Sequence, residues 1–401
     1  MVLNTIDLSK DLTDNELKTM IHMTLNERCK ENYLSMKERA RLQKEIFNSL
    51  RRFDILQDLV EDSTISEIMI NGTNHIFIER EGMIYEWDRH FTDQQKLTDI
   101  VQQIAASSNR IVNQTSPIMD ARLSDGSRVN IVLPPVALDG PIITIRKFPN
   151  EAMNMEQLIS FKTLSQEAAQ FLQRLVYSGY NIFISGGTGS GKTTFLNVLS
   201  SYIPKDERII TIEDSAELQI QGIPNLVRLE VRNANVEGEN EVTIRDLIKS
   251  ALRMRPSRII IGEVRDAAAI DMLQALNSGH SGLSTGHSNS PTDMLSRLET
   301  MVLLGTEIPL QAVRRQIASA LDLIVHLGRL RDHSRKVLEI TEVLDCVDGE
   351  IELNPLFVFR EEAEDEEGKI IGTLKRTQNP LIHHLKLKHS GMLELEVEDS
   401  I

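Results

Sequence analysis

The chain has 401 residues, 41% of them apolar and 26% charged, with a formal net charge of −15. That length fits two or three domains of about 100–200 residues each, and the apolar share excludes a generally disordered chain. The acidic balance argues against free nucleic acid as the main partner, because such binders carry a net basic face.

Residues 1–50 are charged, with Leu17, Met20, Ile21 and Leu25 at helical spacing, and read as a helical N-terminal extension. Residues 51–148 read as a small α/β domain. A short amphipathic helix carries Phe53, Leu56, Leu59 and Val60, and strands follow, broken at Asn71-Gly72 and Glu81-Gly82, both turn signals. DQQKLTDIVQQIAASSNR is helical, ARLSDGSRVNIVL gives two strands around a turn, and PIITIRKF gives another. Residues 149–164 read as a hinge.

After the hinge the pattern changes. NIFIS, RIITIED, LVRLEV and RIIIGEV are buried-type strands, and GKTTFLNVLSSYI, TIRDLIKSALRMR, DAAAIDMLQALNSG and SPTDMLSRLETMVLLG are helices. Strands alternating with helices imply a mostly parallel sheet covered on both faces, here over 165–360. PLQAVRRQIASALDLIVHL continues helically, KVLEITEVL and EIELNPLFVF read as a closing hairpin, and 361–401, opening on EEAEDEE, reads as a solvated acidic tail. The two cysteines, Cys29 and Cys346, form no disulfide framework and suit a reducing compartment. No apolar run approaches about 18 residues and there is no apolar signal core, so a cytoplasmic protein is expected.

The chemistry sits in the second part. Gly186, Gly187, Thr188, Gly189, Ser190, Gly191, Lys192 and Thr193 fit the phosphate-loop pattern G-x-x-x-x-G-K-[ST], between a strand and a helix, and Thr194 extends the binding stretch. Glycines let the backbone wrap a phosphate, Lys192 reaches the β- and γ-phosphates, and Thr193 offers a hydroxyl to Mg²⁺. ATP and Mg²⁺ are therefore the expected ligands. Glu263 ends an otherwise apolar strand, where an acid organises Mg²⁺, directly or through its water, or polarises the attacking water. Glu213 ends another such strand, with Glu217 one helical turn on. Acidic strand ends beside a phosphate loop fit a hydrolase better than a passive nucleotide-gated scaffold. His280 and His287 fall in HSGLSTGHS with no cysteine nearby, which disfavours zinc and leaves His287 as a γ-phosphate sensor. Arg122, Arg128 and Arg146 lie on predicted strands before the hinge, and one of them leaning onto a nucleotide would be an arginine finger.

These stretches resemble the secretion ATPase superfamily of type II and type IV secretion and type IV pili, and within it the CpaF-like ATPases of Tad (Flp pilus) systems. The matching segments are DARLSDGSRVNIVLPPVALDGPIITIRKF, ISGGTGSGKTTFLN, RIITIEDSAEL, RPSRIIIGEVRDAAAIDMLQALNSGH, LSTGHSNS and RRQIASALDLIVHLGRLRD, from about 115 to 345. The resemblance implies a RecA-like phosphate-loop motor domain, a smaller N-terminal α/β domain and a ring, usually hexameric, docked on a polytopic inner-membrane protein. It implies Glu213 and Glu217 as "Asp box" acids, Glu263 as the catalytic Walker B acid, His287 within the "His box", and Arg128 and Arg146 as nucleotide contacts from the N-terminal domain. The rival from another class is a RecA-type nucleic-acid translocase or helicase, which shares the phosphate loop. The absence of a basic, aromatic-interleaved stretch weighs against it.

Overall fold

The computed structural model describes residues 13–28, 34–80, 82–148, 153–232, 234 and 239–393. The first twelve residues, Cys29, residues 149–152 of the expected hinge and residues 394–401 of the expected tail lie outside the described residues. The chain divides into two compact units, 1–150 and 151–401.

In the first unit, helices α1 (Asp14–Arg28) and α2 (Met36–Arg51) pack through Leu17, Ile21, Leu25 and Phe47. Ser35 starts α2 with a capping box, its hydroxyl accepting from the Glu38 amide while the Glu38 carboxylate accepts from the Ser35 amide. After α3 (Leu56–Glu61) come β1 (Ile65–Asn71), β2 (His75–Arg80) and β3 (Met83–Glu86). Helix α4 (Gln94–Ser107) precedes β4 (Ile118–Arg122), β5 (Arg128–Val132) and β6 (Ile142–Arg146). The six strands form an antiparallel sheet in the order β3-β2-β1-β6-β5-β4. Alternation does the work: Ile68, Ile70, Ile76, Ile78, Val129, Ile131, Ile143 and Ile145 point to one face and share a core with Leu97, Ile100, Val101 and Ile104 of α4. At the Asn71-Gly72 turn, Gly72 has φ +68°, and a Cβ there would lie 2.5 Å from the Asp139 carbonyl oxygen.

The second unit opens with α5 (Met155–Ser160) and α6 (Gln166–Tyr177), then β7 (Ile182–Gly186), α7 (Lys192–Ser200), β8 (Ile209–Glu213) and β9 (Leu226–Glu230). It continues with α8 (Ile244–Ala251), β10 (Arg258–Ile261), α9 (Ala268–Asn277), β11 (Ser281–His287), α10 (Pro291–Gly305) and α11 (Leu310–Ala320). Strands β12 (Leu323–Arg329), β13 (Arg335–Val347), β14 (Glu350–Glu364) and β15 (Ile370–Arg376) lead to α12 (Leu385–His389). The sheet order is β15-β14-β13-β12-β7-β11-β10-β8-β9. Strands β12, β7, β11, β10, β8 and β9 are parallel to one another, and β13, β14 and β15 extend the sheet antiparallel. Successive residues of β7 feed opposite cores. Ile182 and Ile184 join α6 and α7, whereas Phe183 joins α8, α9, α10 and α11. Phe171, Phe183, Phe195 and Phe357 are fully buried, so truncating any one to alanine costs about 3–5 kcal/mol.

Three expectations are corrected here. The helix expected through LDLIVHL ends at Ala320, and Leu323–Arg329 is strand β12, buried beside β7. A short apolar run cannot be told from a buried helix by periodicity, and the β-branched Ile324 and Val325 favour the strand. The expected hinge contains a capped helix, α5, and its Met155 and Leu158, with Leu164 after it, belong to the core of the second unit. The acidic tail is not a solvated segment. Glu361–Glu364 are the exposed end of β14, and Ile370 and Leu374 of β15 are buried. Leu381 and Leu387 enter the same core, and the buried Glu342 carboxylate accepts from the Ile382 and His383 amides. The charge run misled because its side chains sit on the exposed end of a strand whose partner has buried alternate positions. No helix among the described residues is long and apolar enough to cross a membrane.

Candidate active site

Parallel strands bring their carboxyl ends to one edge of the sheet, the usual ligand side of such folds. Register decides which residues meet there. Gly186 at the end of β7 pairs with His287 at the end of β11, and with Leu327 of β12 on its other side. Ile261, last in β10, pairs with Ser284 of β11 and Ile212 of β8, which sets Glu213 and Gly262 side by side. A Cβ on Gly262 would lie 3.0 Å from Glu213 Cγ, so the glycine leaves the room this carboxylate occupies.

The loop after β7 turns on glycines. Gly189 and Gly191 have φ +70° and +94°, and a Cβ at Gly186 would run into the Leu327 carbonyl and the Ser190 hydroxyl. Gly191 is the N-cap of α7 and brings no side chain to the first amides of the helix, which face outward with the positive end of its dipole. Lys192 folds back into the loop: its Nζ donates to the carbonyl oxygens of Gly186 and Gly187 at 3.0 and 2.9 Å and lies 3.2 Å from His287 Nδ1. Gly187, Thr188 and Gly189 are exposed, Ser190 is buried, and Thr193 and Thr194 are half-buried on α7.

His287 Nε2 is 3.0 Å from Glu263 Oε1, and Glu263 Oε2 accepts from Arg265 Nη2 at 2.6 Å. Arg265 also lies 3.8 Å from Asp214. Lys192, His287, Glu263, Arg265 and Asp214 thus form one chain of polar contacts from the loop across to the end of β8. Burial, and then the Lys192 charge, hold the His287 pKa below its ordinary value against the opposing pull of Glu263. Glu213 is 2% exposed. Its Oε2 accepts from the Glu217 and Leu218 amides at 2.7 and 2.8 Å, while its buried Oε1 has no hydrogen-bond partner. Burial outweighs those two bonds and pushes the Glu213 carboxyl up to about 7. Glu217, half-buried, follows in the loop that Glu213 pins.

His280 belongs elsewhere. It precedes the start of β11, bonded locally to Ser278, while His287 ends the strand, about 20 Å away at about 3.3 Å per residue. Arg128 and Arg146 lie in the first unit. Arg122, Arg128, Arg146 and Glu67 are directly paired in turn across β4, β5, β6 and β1, which puts three guanidinium groups in one row on one face. Arg128 has a 3.8 Å contact to Asp120.

Two groups were missed from sequence. Arg265, two positions after Glu263, holds that carboxylate, and the GEVRD stretch contained the signal. His326, 6% exposed under the loop, meets Ser185 Oγ through Nδ1 at 2.9 Å, and burial pushes its pKa down. No periodicity marks a histidine inside an apolar strand.

The model of the family described as type II/IV secretion system protein matches residues 50–370. The chain is 33% identical over 313 residues to the conjugal transfer protein TrbB of Rhizobium radiobacter, covering 77% of this chain and 92% of that protein. It is 31% identical over 301 residues to the type IV secretion system protein VirB11 of Brucella suis, covering 68% of this chain and 83% of the other. The X-ray structure of the ATPase DotB of Yersinia pseudotuberculosis superposes with a TM-score of 0.54 at 19% identity, over 74% of this chain and 79% of that one. The fold is therefore a RecA-like motor domain preceded by a smaller α/β domain, and the chain belongs to the type II/IV secretion system protein family.

Proposed function

We propose that this chain hydrolyses ATP and works as a motor subunit at the cytoplasmic face of a membrane, powering a secretion, conjugation or pilus machine. The observation that carries the reading is the contact chain Lys192–His287–Glu263, which ties the phosphate loop after β7, through the end of β11, to an acid just after β10. The donor set suits Mg-ATP. The glycine loop and the first amides of α7 suit an anion, and Thr193 and Glu263 offer the hard oxygen ligands that Mg²⁺ takes, directly or through water. When bound, Mg²⁺ neutralises charge on the β- and γ-phosphates. Lys192 would shift from the loop carbonyls to phosphate oxygens, Glu263 would orient and polarise the attacking water, and neutral His287 would report the γ-phosphate to Glu263.

The finer reading is a ring, of six subunits by family resemblance, docked on a polytopic membrane protein and serving a Tad or Flp-type pilus. Support for that part is the set of quoted stretches around the loop. Phosphate release from Mg-ATP, compared between wild type and Glu263→Gln, tests the core of the proposal. The variant should bind Mg-ATP and lose at least ~100-fold in turnover. Undiminished turnover would remove Glu263 from the chemistry, and a wild type that neither binds nor cleaves ATP would end the reading. Turnover stimulated severalfold by DNA would favour the nucleic-acid translocase instead.

A further inference from the structure

The β12–β13 hairpin runs past the phosphate loop and carries two arginines to it. Leu327 pairs with Gly186, and two residues further along β12, Arg329 stands directly opposite Arg335 of β13. Arg335 Nε donates to the Gly189 carbonyl at 2.9 Å, and a Cβ at Gly191 would lie 3.5 Å from Arg335 Cδ. A Cβ at Gly189 would lie 3.8 Å from Arg329 Nη1. Both guanidinium groups therefore border the tip of the loop, on the same unit as the loop itself.

Two cations on directly paired strand positions concentrate positive charge at this rim of the loop. Arg331, two residues beyond Arg329, is gripped by Glu361 and Glu364. Among the described residues Arg335 has no carboxylate in ion-pair range, and its Nη groups have no protein acceptor. Arg335 is exposed, and its planar fork, with Nε already committed to Gly189, leaves two donor groups fixed in direction.

We propose that Arg335 and Arg329 serve the nucleotide phosphates from the same chain that holds them. Arg335 is a positioning residue, setting the Gly189 peptide so that the loop keeps its curl, and its Nη groups together with Arg329 draw phosphate charge to the lip of the loop. This inference rests on the loop being a nucleotide site. It is separate from the arginine row of the first unit, because these two side chains belong to the same unit as the loop.

The test titrates Mg-ATP against wild type, Arg329→Ala, Arg335→Ala and Arg335→Lys over a range of ionic strength, alongside steady-state turnover and a thermal melt. Each alanine variant should weaken ATP binding about tenfold, with a shallower dependence of affinity on salt. Arg335→Lys should recover part of the affinity but not kcat, since lysine has no Nε to hold Gly189. A merely structural role would lower the melting temperature and leave the salt dependence unchanged. Wild-type affinity, KM and salt dependence in both alanine variants, beside loss of binding in Lys192→Ala, would overturn the inference and spare the nucleotide site. Should Arg335→Ala fail to fold, Arg329→Ala and Arg335→Lys decide by the same readings.

Discussion

His287 presents one ring nitrogen to Glu263 Oε1 at 3.0 Å and the other to Lys192 Nζ at 3.2 Å. A neutral ring with its proton on Nε2 suits both neighbours, Nδ1 accepting from the ammonium and Nε2–H facing the carboxylate, whose Oε1 has no hydrogen-bond partner in this arrangement. Burial and Lys192 keep it neutral by holding its pKa below the ordinary value of about 6.5. The sign follows from that direction. The contribution of this group to stability is present above 6.5 and is lost as pH falls through the lower, folded pKa. Turnover should therefore show an acid limb below pH 6.5 that is absent in His287→Gln, with kcat for that variant down about 100-fold and its fold intact by circular dichroism. A variant with the wild-type acid limb would show that another group sets it.

Glu213 titrates in the opposite sense. Its pKa, raised to about 7, makes its contribution to stability full below about 4.5 and lost as pH rises through 7. A shift of that size corresponds to about 3 kcal/mol at high pH, at 1.36 kcal/mol per unit. Glu213→Gln keeps an oxygen for the Glu217 and Leu218 amides and removes the charge. It should melt several degrees above wild type at pH 8 and no higher at pH 4.5. Equal shifts at both values would mean that the carboxylate finds compensation not visible around Oε1. Turnover should fall in the same variant if Glu213 belongs to the chemistry as well as to the loop.

Arg146 has Arg128 directly across from it and Glu67 on its other side. Should this row supply the finger for the γ-phosphate, Arg146→Ala will lower kcat by about 10³-fold or more and change the ATP dissociation constant far less. A strand-edge arginine with only a structural part predicts a modest drop in melting temperature and near-normal turnover per folded subunit. Steady-state kinetics beside a nucleotide titration separates these outcomes.

The phosphate loop was legible because glycine spacing is a backbone requirement that leaves a direct mark in sequence. Strands β7, β8 and β10 were legible as runs of isoleucine and phenylalanine, and Glu213 and Glu263 as acids ending such runs. Strand β11, SGLSTGH, was not, although it lies in the middle of the sheet. Its neighbours explain its composition. A Cβ at Gly282 would lie 2.6 Å from Leu276 Cδ2, and one at Gly286 would lie 2.9 Å from the Phe183 ring. Side chains from α9 and β7 close in on this strand, so it is built of small residues and lacks the β-branched signature. The arginines of β12 and β13 were hidden for another reason. Their meaning comes from cross-strand register and from the approach of the hairpin to the loop, neither of which has a local pattern.

The Glu342 carboxylate is 1% exposed and is held by the Ile382 and His383 amides and by Asn354 Nδ2. The hydroxyl of Tyr180, at the foot of the strand that ends in the phosphate loop, donates to the His383 carbonyl at 2.6 Å. The stretch around Ile382 and His383 is therefore a clasp on the sheet of the second unit, at the end opposite the phosphate loop. Cutting the chain after Arg376 would strip the amides from the buried Glu342 carboxyl group and uncover Leu381 and Leu387, so a shortened protein would be expected to lose the motor fold as a whole. Fusions and affinity tags meant to leave the machine working belong beyond this clasp, not in place of it.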